Sequence, residues 1–168
     1  MSFEQGQKTF DLSPLLTGET DRVALERRWA DTPEQNGISL SGLSFSGECR
    51  RAADEILLTG KIACQMHSVC ARCLAPVSAP FQTDLSLLLL KEPDDQEERD
   101  VWLYQGESAD LYGAVEETLL LDLPLRLLCR EDCKGLCPKC GKNLNEGDCG
   151  CVKKEIDPRL QGLADFFK

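Results

Sequence analysis

The sequence predicts an α+β fold, in which an antiparallel β-meander body with one or two packed helices precedes a C-terminal cysteine-rich module. Two observations lead to this class. Apolar and polar residues alternate over residues 38–50, 56–69 and 77–90, and a period of two is typical of strands. In addition, six of the ten cysteines lie between residues 129 and 151. We therefore expect a β-rich body at 1–128 and a cysteine-rich module at 129–168.

The segments that precede the meander are short. Residues 10–18 predict a short strand that enters a turn, because Ser-Pro follows the apolar start. Residues 21–29 alternate like a strand, although Leu25 and Trp29 also lie four positions apart, as on one face of a helix. Both alternatives stay open. The composition of residues 31–37 predicts a loop.

The three alternating segments form the meander, and we place Cys70 and Cys73 in the hairpin between its last two strands. Residues 92–100 predict an exposed acidic loop, because charge repulsion and Pro93 discourage regular structure. Residues 101–104 then predict a further short strand.

Helices are predicted on the C-terminal side of the acidic loop. The first spans about 110–122, with Ser108 or Asp110 as its N-cap and Pro124 beyond its end. Its apolar stripe consists of Leu111, Val115 and Leu119. A second, terminal helix is expected over 157–167, where Asp-Pro supplies the cap and the first turn.

The charge distribution limits the partners of this chain. The 29 acidic and 19 basic residues give a net charge of −10, and such a surface on average repels RNA, because generic nucleic-acid binding relies on Lys and Arg. The charge is uneven, since residues 92–117 hold ten acids and one arginine, whereas residues 126–154 hold seven basic residues and four acids. The basic stretch can serve a local RNA contact, or it can merely offset charge on cysteine thiolates.

Cysteine spacing is the strongest chemical signal in the chain. Cys137 and Cys140 are separated by two residues, as are Cys70 and Cys73, and this spacing lets both sulfurs reach one soft cation at about 2.3 Å. Gly141 permits the left-handed backbone that such a turn needs. The six cysteines between residues 129 and 151 and the two of the hairpin make eight, which is enough for two metal sites with four ligands each.

Zinc is the expected metal, with an iron–sulfur cluster or purely redox-active thiols as alternatives. Disulfides belong to secreted chains, and residues 1–5 lack the charged and apolar regions of a signal peptide. No segment has the roughly 18 apolar residues of a membrane span. We therefore expect a cytoplasmic protein with reduced thiols. Cys49 and Cys64, each alone in a strand-like segment, are predicted to be core residues.

Several motifs, in order along the chain, carry a resemblance to a known family. They are Cys-Ala-Arg-Cys-Leu at 70–74, Asp-Leu-Tyr at 110–112 and Glu-Asp-Cys-Lys-Gly-Leu-Cys-Pro-Lys-Cys-Gly-Lys-Asn-Leu-Asn at 131–145. With them the chain resembles the YceD family of bacteria and plastids over nearly its whole length. Members are known as large ribosomal RNA subunit accumulation proteins, so the resemblance implies a role in making or stabilising 23S-type rRNA.

The preferred division of the cysteines gives two zinc sites per chain. One contains Cys70, Cys73, Cys129 and Cys133, and the other contains Cys137, Cys140, Cys149 and Cys151. In the second site, the residues between Cys140 and Cys149 include Asn145 and Gly147 and can turn the chain back. The rival division is a single site of Cys133, Cys137, Cys140 and one of Cys149 or Cys151, with the hairpin pair free.

The leading functional hypothesis is a non-enzymatic ribosome-assembly factor with structural zinc. Its acidic body would bind a basic ribosomal protein, or would dock beside large-subunit rRNA or its precursor. The residues predicted to contact a protein are Asp94, Asp95, Glu97 and Glu98, and those predicted to contact RNA phosphates are Lys134, Lys139 and Lys142.

The alternative hypothesis is a redox-regulated holdase chaperone, in which oxidation of the thiolates releases zinc. An enzyme is not expected, because catalytic zinc sites usually include His or carboxylate ligands, and the only histidine, His67, lies in a strand-like segment. Glu116 and Glu117, the candidate acid pair on the helix, point in different directions. Neither a small-molecule substrate nor a membrane is predicted as a partner.

Overall fold

The computed structural model describes residues 4–30, 32–53, 55–93 and 99–151. The predicted terminal helix at 157–167 lies outside these residues, and so do the predicted partner-contact residues Asp94, Asp95, Glu97 and Glu98. Nine strands and two helices occur in the described residues. They are β1 (Glu4–Gln5), β2 (Thr9–Asp11), α1 (Ser13–Leu16), β3 (Arg22–Trp29), β4 (Glu34–Gln35), β5 (Ile38–Ala52), β6 (Glu55–Val69), β7 (Pro76–Leu90), β8 (Val101–Leu103), β9 (Ser108–Asp110) and α2 (Leu111–Asp122).

Most of the strands form one seven-stranded sheet with the order β1-β3-β5-β6-β7-β8, and β4 pairs with β5. Strands β3, β5, β6 and β7 are successive antiparallel neighbours, which confirms the predicted meander. The short strands β1 and β8 pair in parallel with β3 and β7, so the sheet is mixed. Strands β2 and β9 form a separate antiparallel pair.

The ambiguous segment at 21–29 is a strand, because it completes the sheet beside β5 and buries Leu25 and Trp29 in the core. The segment at 10–18 contains a strand and then the short helix α1, which buries Leu15. Burial of the apolar side chains in the core therefore decides between strand and helix for residues 21–29, which periodicity alone leaves open.

One apolar core joins the sheet to the helices. Phe45, Leu58 and Ile62 of the sheet and Leu119 of α2 are almost fully buried in it. Helix α2 begins at the predicted cap, where the Asp110 side chain accepts a hydrogen bond from the Gly113 N–H at 3.0 Å.

The path of the chain around this core brings two distant segments to one end of the sheet. Strands β6 and β7 pair from Ile56 with Leu89 to Val69 with Pro76, so their connecting hairpin lies at that end. After α2, the chain returns to the hairpin, and the Leu127 carbonyl accepts a hydrogen bond from the Ala71 N–H at 2.9 Å. Contacts also cross the predicted boundary at 128, since the Leu136 N–H donates to the Arg72 carbonyl at 3.1 Å. The division into two domains stays a prediction.

Candidate metal centre

A tight turn at the tip of the β6–β7 hairpin presents Cys70 and Cys73. The Cys70 N–H donates to the Ala75 carbonyl at 2.7 Å, and the Leu74 N–H donates to the Cys70 carbonyl at 2.9 Å. Leu74 has a φ of 60°, which is the left-handed region that L-residues rarely adopt. This turn brings the two sulfurs within 4.8 Å of each other.

The first cysteine group consists of Cys70, Cys73, Cys129 and Cys133, whose four sulfurs all lie within 4.8 Å of one another. The Cys70 and Cys133 sulfurs are 3.8 Å apart, and those of Cys73 and Cys129 are 3.6 Å apart. A tetrahedral ion with sulfur ligands at about 2.3 Å needs sulfurs about 3.8 Å apart, whereas a disulfide needs about 2.05 Å. The separations therefore match a four-ligand metal site.

The second cysteine group consists of Cys137, Cys140, Cys149 and Cys151, whose sulfurs also lie within 4.8 Å of one another. Its turn repeats the hydrogen bonds of the hairpin, since the Cys137 N–H donates to the Lys142 carbonyl and the Gly141 N–H to the Cys137 carbonyl, both at 2.8 Å. Gly141, with a φ of 74°, occupies the position that Leu74 holds in the first turn. The two turns are thus built alike, with a glycine in only one of them.

In each group, the backbone favours one thiolate. Burial raises the pKa of the Cys70 thiol, but hydrogen bonds from the N–H groups of Cys129, Arg72 and Cys73 and from the Cys73 thiol together outweigh it and lower the pKa to about 6. In the second group, the N–H groups of Cys140 and Lys139 lower the pKa of Cys137 to about 6. These two sulfurs are therefore prepared to act as anionic ligands.

In each group, the neighbouring sulfurs raise the pKa of another thiol, because a second negative charge among them is unfavourable. The Cys133 and Cys73 thiols raise the pKa of Cys129 to about 12, and the Cys149 and Cys140 thiols do the same to Cys151. A divalent cation would remove this conflict, since a coordinating thiol is deprotonated by the charge of the metal. The donor set of each group therefore fits a soft divalent cation.

The structure brings the eight predicted cysteines together in the two fours of the preferred division. Cys133 lies with the hairpin cysteines, which is not the geometry of the rival single site. Their role as metal ligands stays a prediction. The remaining cysteines, Cys49 and Cys64, are buried in the core, and burial raises the pKa of Cys49 to about 12.

Other predicted residues lie outside both groups. The side chains of Lys134, Lys139 and Lys142 are exposed on the loops that carry the cysteines. The His67 ring lies between the hydroxyls of Ser41 and Ser78, with each ring nitrogen 2.8 Å from one of them. Among the described residues, neither cysteine group includes this histidine.

Two residues contact the first group although the sequence analysis assigns neither of them to it. Arg72 donates from Nη1 to the Cys133 carbonyl at 2.9 Å, and Asn145 donates from Nδ2 to the Cys133 sulfur at 3.3 Å. The sequence indicates Asn145 only as a turn residue, because its contact depends on a folded loop.

The fold and the two cysteine groups together define a β-sheet protein with a candidate metal-binding loop region. The chain matches the model of the family described as Large ribosomal RNA subunit accumulation protein YceD over residues 58–167, and it belongs to this family. The resemblance expected from its motifs is thereby confirmed.

Similar proteins occur in several organisms. An uncharacterized protein of Mycobacterium tuberculosis is 36% identical over an alignment 120 residues long, which covers 68% of this chain and 57% of the relative. The uncharacterized protein YlbN of Bacillus subtilis is 28% identical over 77% of this chain and 76% of its own length. The Large ribosomal RNA subunit accumulation protein YCED homolog 1, chloroplastic, of Arabidopsis thaliana is 25% identical over 64% of this chain and 43% of its own length.

The chain thus spans little more than half the length of the mycobacterial relative. No solved structure matches the chain. Within the part of the chain that the structure describes, neither helix has the length and apolar character needed to cross a bilayer.

Proposed function

We propose that this protein is a non-enzymatic factor for the accumulation of large-subunit rRNA, and that it holds two structural zinc ions. Family membership carries this proposal, because the family is named for large ribosomal RNA subunit accumulation. A chloroplastic relative has the same name. The named process supports a role in ribosome biogenesis, and the reduced thiols suit a cytoplasmic protein.

Zinc is proposed for its match to the ligand chemistry. Four cysteine sulfurs in tetrahedral arrangement are the ligand set of closed structural zinc sites. In a closed site, all four positions are taken by protein, so no position is left for water or substrate. We therefore assign the metal a stabilising role. No observation on the described residues favours the redox-chaperone alternative.

The acidic body supplies a docking surface for a basic protein. A groove of about 290 Å³ lies between α2 and the strands β7 and β8. Its lining includes apolar residues such as Trp102 and four carboxylates, those of Asp84, Asp100, Glu117 and Asp122. Leu121, which also lines the groove, is 79% exposed.

This combination of charge and apolar surface suits an extended basic segment with an apolar anchor. Ribosomal proteins are strongly basic, and complementary charge accelerates association and selects the partner. We therefore propose that a basic large-subunit ribosomal protein binds in this groove. Asp100 is also the last residue of the acidic stretch 92–100 that the sequence predicts to contact a protein.

Direct RNA binding through Lys134, Lys139 and Lys142 is the competing route. In cells that lack this protein, we expect less large-subunit rRNA relative to small-subunit rRNA, as measured by quantitative RNA electrophoresis. Restoring the parent gene should restore the ratio. A normal ratio in the deletion strain would refute the proposed role.

Complementation variants distinguish the two routes. The groove variant combines Asp84→Asn, Asp100→Asn and Glu117→Gln, and its matched control neutralises three exposed acids that do not line the groove, Glu19→Gln, Asp21→Asn and Glu131→Gln. We expect the control to restore the rRNA ratio and the groove variant to fail. The loop variant, in which Asp94, Asp95, Glu97 and Glu98 are neutralised, should show part of that defect.

The lysine variant changes Lys134, Lys139 and Lys142 to Gln. Full complementation by the groove variant together with failure of the lysine variant would discard the groove and favour direct RNA contact. Binding to a basic peptide array at low and high salt provides an independent readout, because contacts between exposed charges weaken with ionic strength.

A further inference from the structure

Asn145 connects the two cysteine groups. It lies in the loop between Cys140 and Cys149 of the second group, yet its Nδ2 donates a hydrogen bond to the Cys133 sulfur of the first group at 3.3 Å. A second hydrogen bond joins the same segments, since the Leu144 N–H donates to the Gly135 carbonyl at 2.9 Å. The loop of one group therefore forms part of the surroundings of the other.

The orientation of the Asn145 amide is determined by its partners. Its Oδ1 accepts from the Lys134 N–H at 2.8 Å and from Arg130 Nη2 at 2.7 Å. Since both of these partners are donors, Oδ1 must face them, and Nδ2 is left to donate to the sulfur and to Asn143 Oδ1, which is 2.8 Å away. The Asn145 N–H also donates to Asn143 Oδ1 at 3.0 Å, which holds the turn of the loop.

Two cysteines of the second group enclose the loop that carries Asn145. Cys140 and Cys149 flank its loop, so a metal bound to both would fix the two ends of the loop at one point. Without that constraint, the loop gains conformational freedom, and the hydrogen bond to Cys133 weakens. An N–H donor stabilises the negative charge of a ligating thiolate.

We propose that Asn145 couples the two metal sites, so that metal in the second cysteine group strengthens metal binding by the first. The coupling is reciprocal, because two linked binding equilibria change each other by the same factor. Partners that orient metal ligands typically change metal affinity about 10- to 100-fold. This inference rests on the proposed zinc binding.

The test is a zinc competition titration with a chromophoric chelator. It compares the parent, Asn145→Ala, a double variant Cys149→Ser with Cys151→Ser, and the combination of all three changes. The variant Cys70→Ser with Cys73→Ser retains only the second group, and thus identifies which step of a two-step curve belongs to each site. Glu146→Gln, a neighbouring exposed residue whose substitute keeps an acceptor for Asn143, is the matched control.

We expect Asn145→Ala to weaken zinc binding at the first site by about tenfold or more, and Glu146→Gln to leave it unchanged. Loss of the second site should weaken the first by a similar factor. In the combined variant, no further loss should occur, since both changes remove the same hydrogen bond. Asn145→Asp, which presents an oxygen to the sulfur, should be at least as weak as Asn145→Ala.

Three results would overturn the coupling while zinc binding stands. They are first-site affinity in Asn145→Ala within threefold of the parent, no response of the first site to loss of the second, or two effects that multiply in the combined variant. Failure of the parent to bind zinc would instead remove the metal proposal itself. Circular dichroism of the zinc-loaded variants verifies that the sheet is folded, and Asn145→Asp replaces Asn145→Ala if the latter is not.

Discussion

The sheet and the cysteine loops are stabilised in different ways within one chain. In the sheet, Phe45 and Leu58 are almost fully buried, and long strands pair continuously. From residue 129 to residue 151, the described chain has no helix or strand, and its regular pairing is limited to the isolated bridge between Leu136 and Asn143. Among its buried side chains are those of Cys133 and Cys137. The two regions should therefore respond to different perturbations.

Metal removal should have the largest effect, and it should separate the two regions. A structural zinc site contributes on the order of 10 kcal/mol to folding, so a chelator should unfold the loops and leave the sheet intact. We expect the eight grouped thiols to become reactive toward an alkylating reagent, while Cys49 and Cys64 remain protected. Mass spectrometry of the labelled peptides measures this difference.

Protein unfolded in denaturant is the control, in which all ten thiols should react. If Cys49 were labelled as early as the grouped thiols, the sheet itself would depend on the metal. That result would contradict the view that the two regions are stabilised in different ways.

A single ligand substitution should break one group only. Cys140→Ser removes one sulfur of the second group, and we expect the segment 137–151 to lose its protection against proteolysis while β5, β6 and β7 keep theirs. Elemental analysis should show about one zinc per chain lost. Cys64→Ser, in the core, is the comparison substitution, and it should lower sheet stability without loss of zinc. An unchanged digestion pattern in Cys140→Ser would contradict the assignment of this ligand.

Truncation of the core should show the opposite pattern. Phe45→Ala removes a side chain that is 1% exposed, and such changes typically cost about 3–5 kcal/mol. The Phe45 ring also packs tightly against Gly60, because a Cβ added to Gly60 would lie only 2.5 Å from the ring Cζ. Urea unfolding followed by circular dichroism should show this loss. Under native conditions the zinc content should remain that of the parent, and its loss would show that the regions are not independent.

The smallest predicted effect concerns the backbone strain in the two cysteine turns. Leu74 adopts the left-handed conformation that Gly141 adopts in the second turn, and this conformation costs an L-residue about 1–2 kcal/mol. Because Leu74→Gly relieves this strain, we expect it to raise the free energy of unfolding of the zinc-loaded protein by up to about 1 kcal/mol. The gain is smaller than the strain relieved, because glycine loses more conformational entropy on folding.

The reverse substitution, Gly141→Leu, should lower stability by a similar amount, since an added Cβ would meet no atom within 4 Å and only backbone strain remains. Denaturant unfolding in the presence of excess zinc measures both changes. Equal stabilities of the parent and Gly141→Leu would show that the left-handed turn is not strained.

Local patterns predicted the main elements closely. The alternation over residues 56–69 corresponds to β6 at Glu55–Val69, and the helix expected at about 110–122 is α2 at Leu111–Asp122. The strand follows from side-chain periodicity, and the helix follows from periodicity and its N-cap. Both features involve residues only a few positions apart. The spacing of Cys137 and Cys140 likewise predicted their turn, because a two-residue separation constrains the backbone locally.

The meeting of Cys70 with Cys133, the parallel pairing of β8 with β7 and the contact of Asn145 with a sulfur were decided by the tertiary structure. The preferred division of the cysteines anticipated the first of these, but spacing alone left the rival open. The sequence by itself determined which segments are strands, helices and cysteine turns, because neighbouring residues encode periodicity and turn geometry. Which distant segments meet depends on the path of the whole chain around one core, and local patterns carry no record of that path.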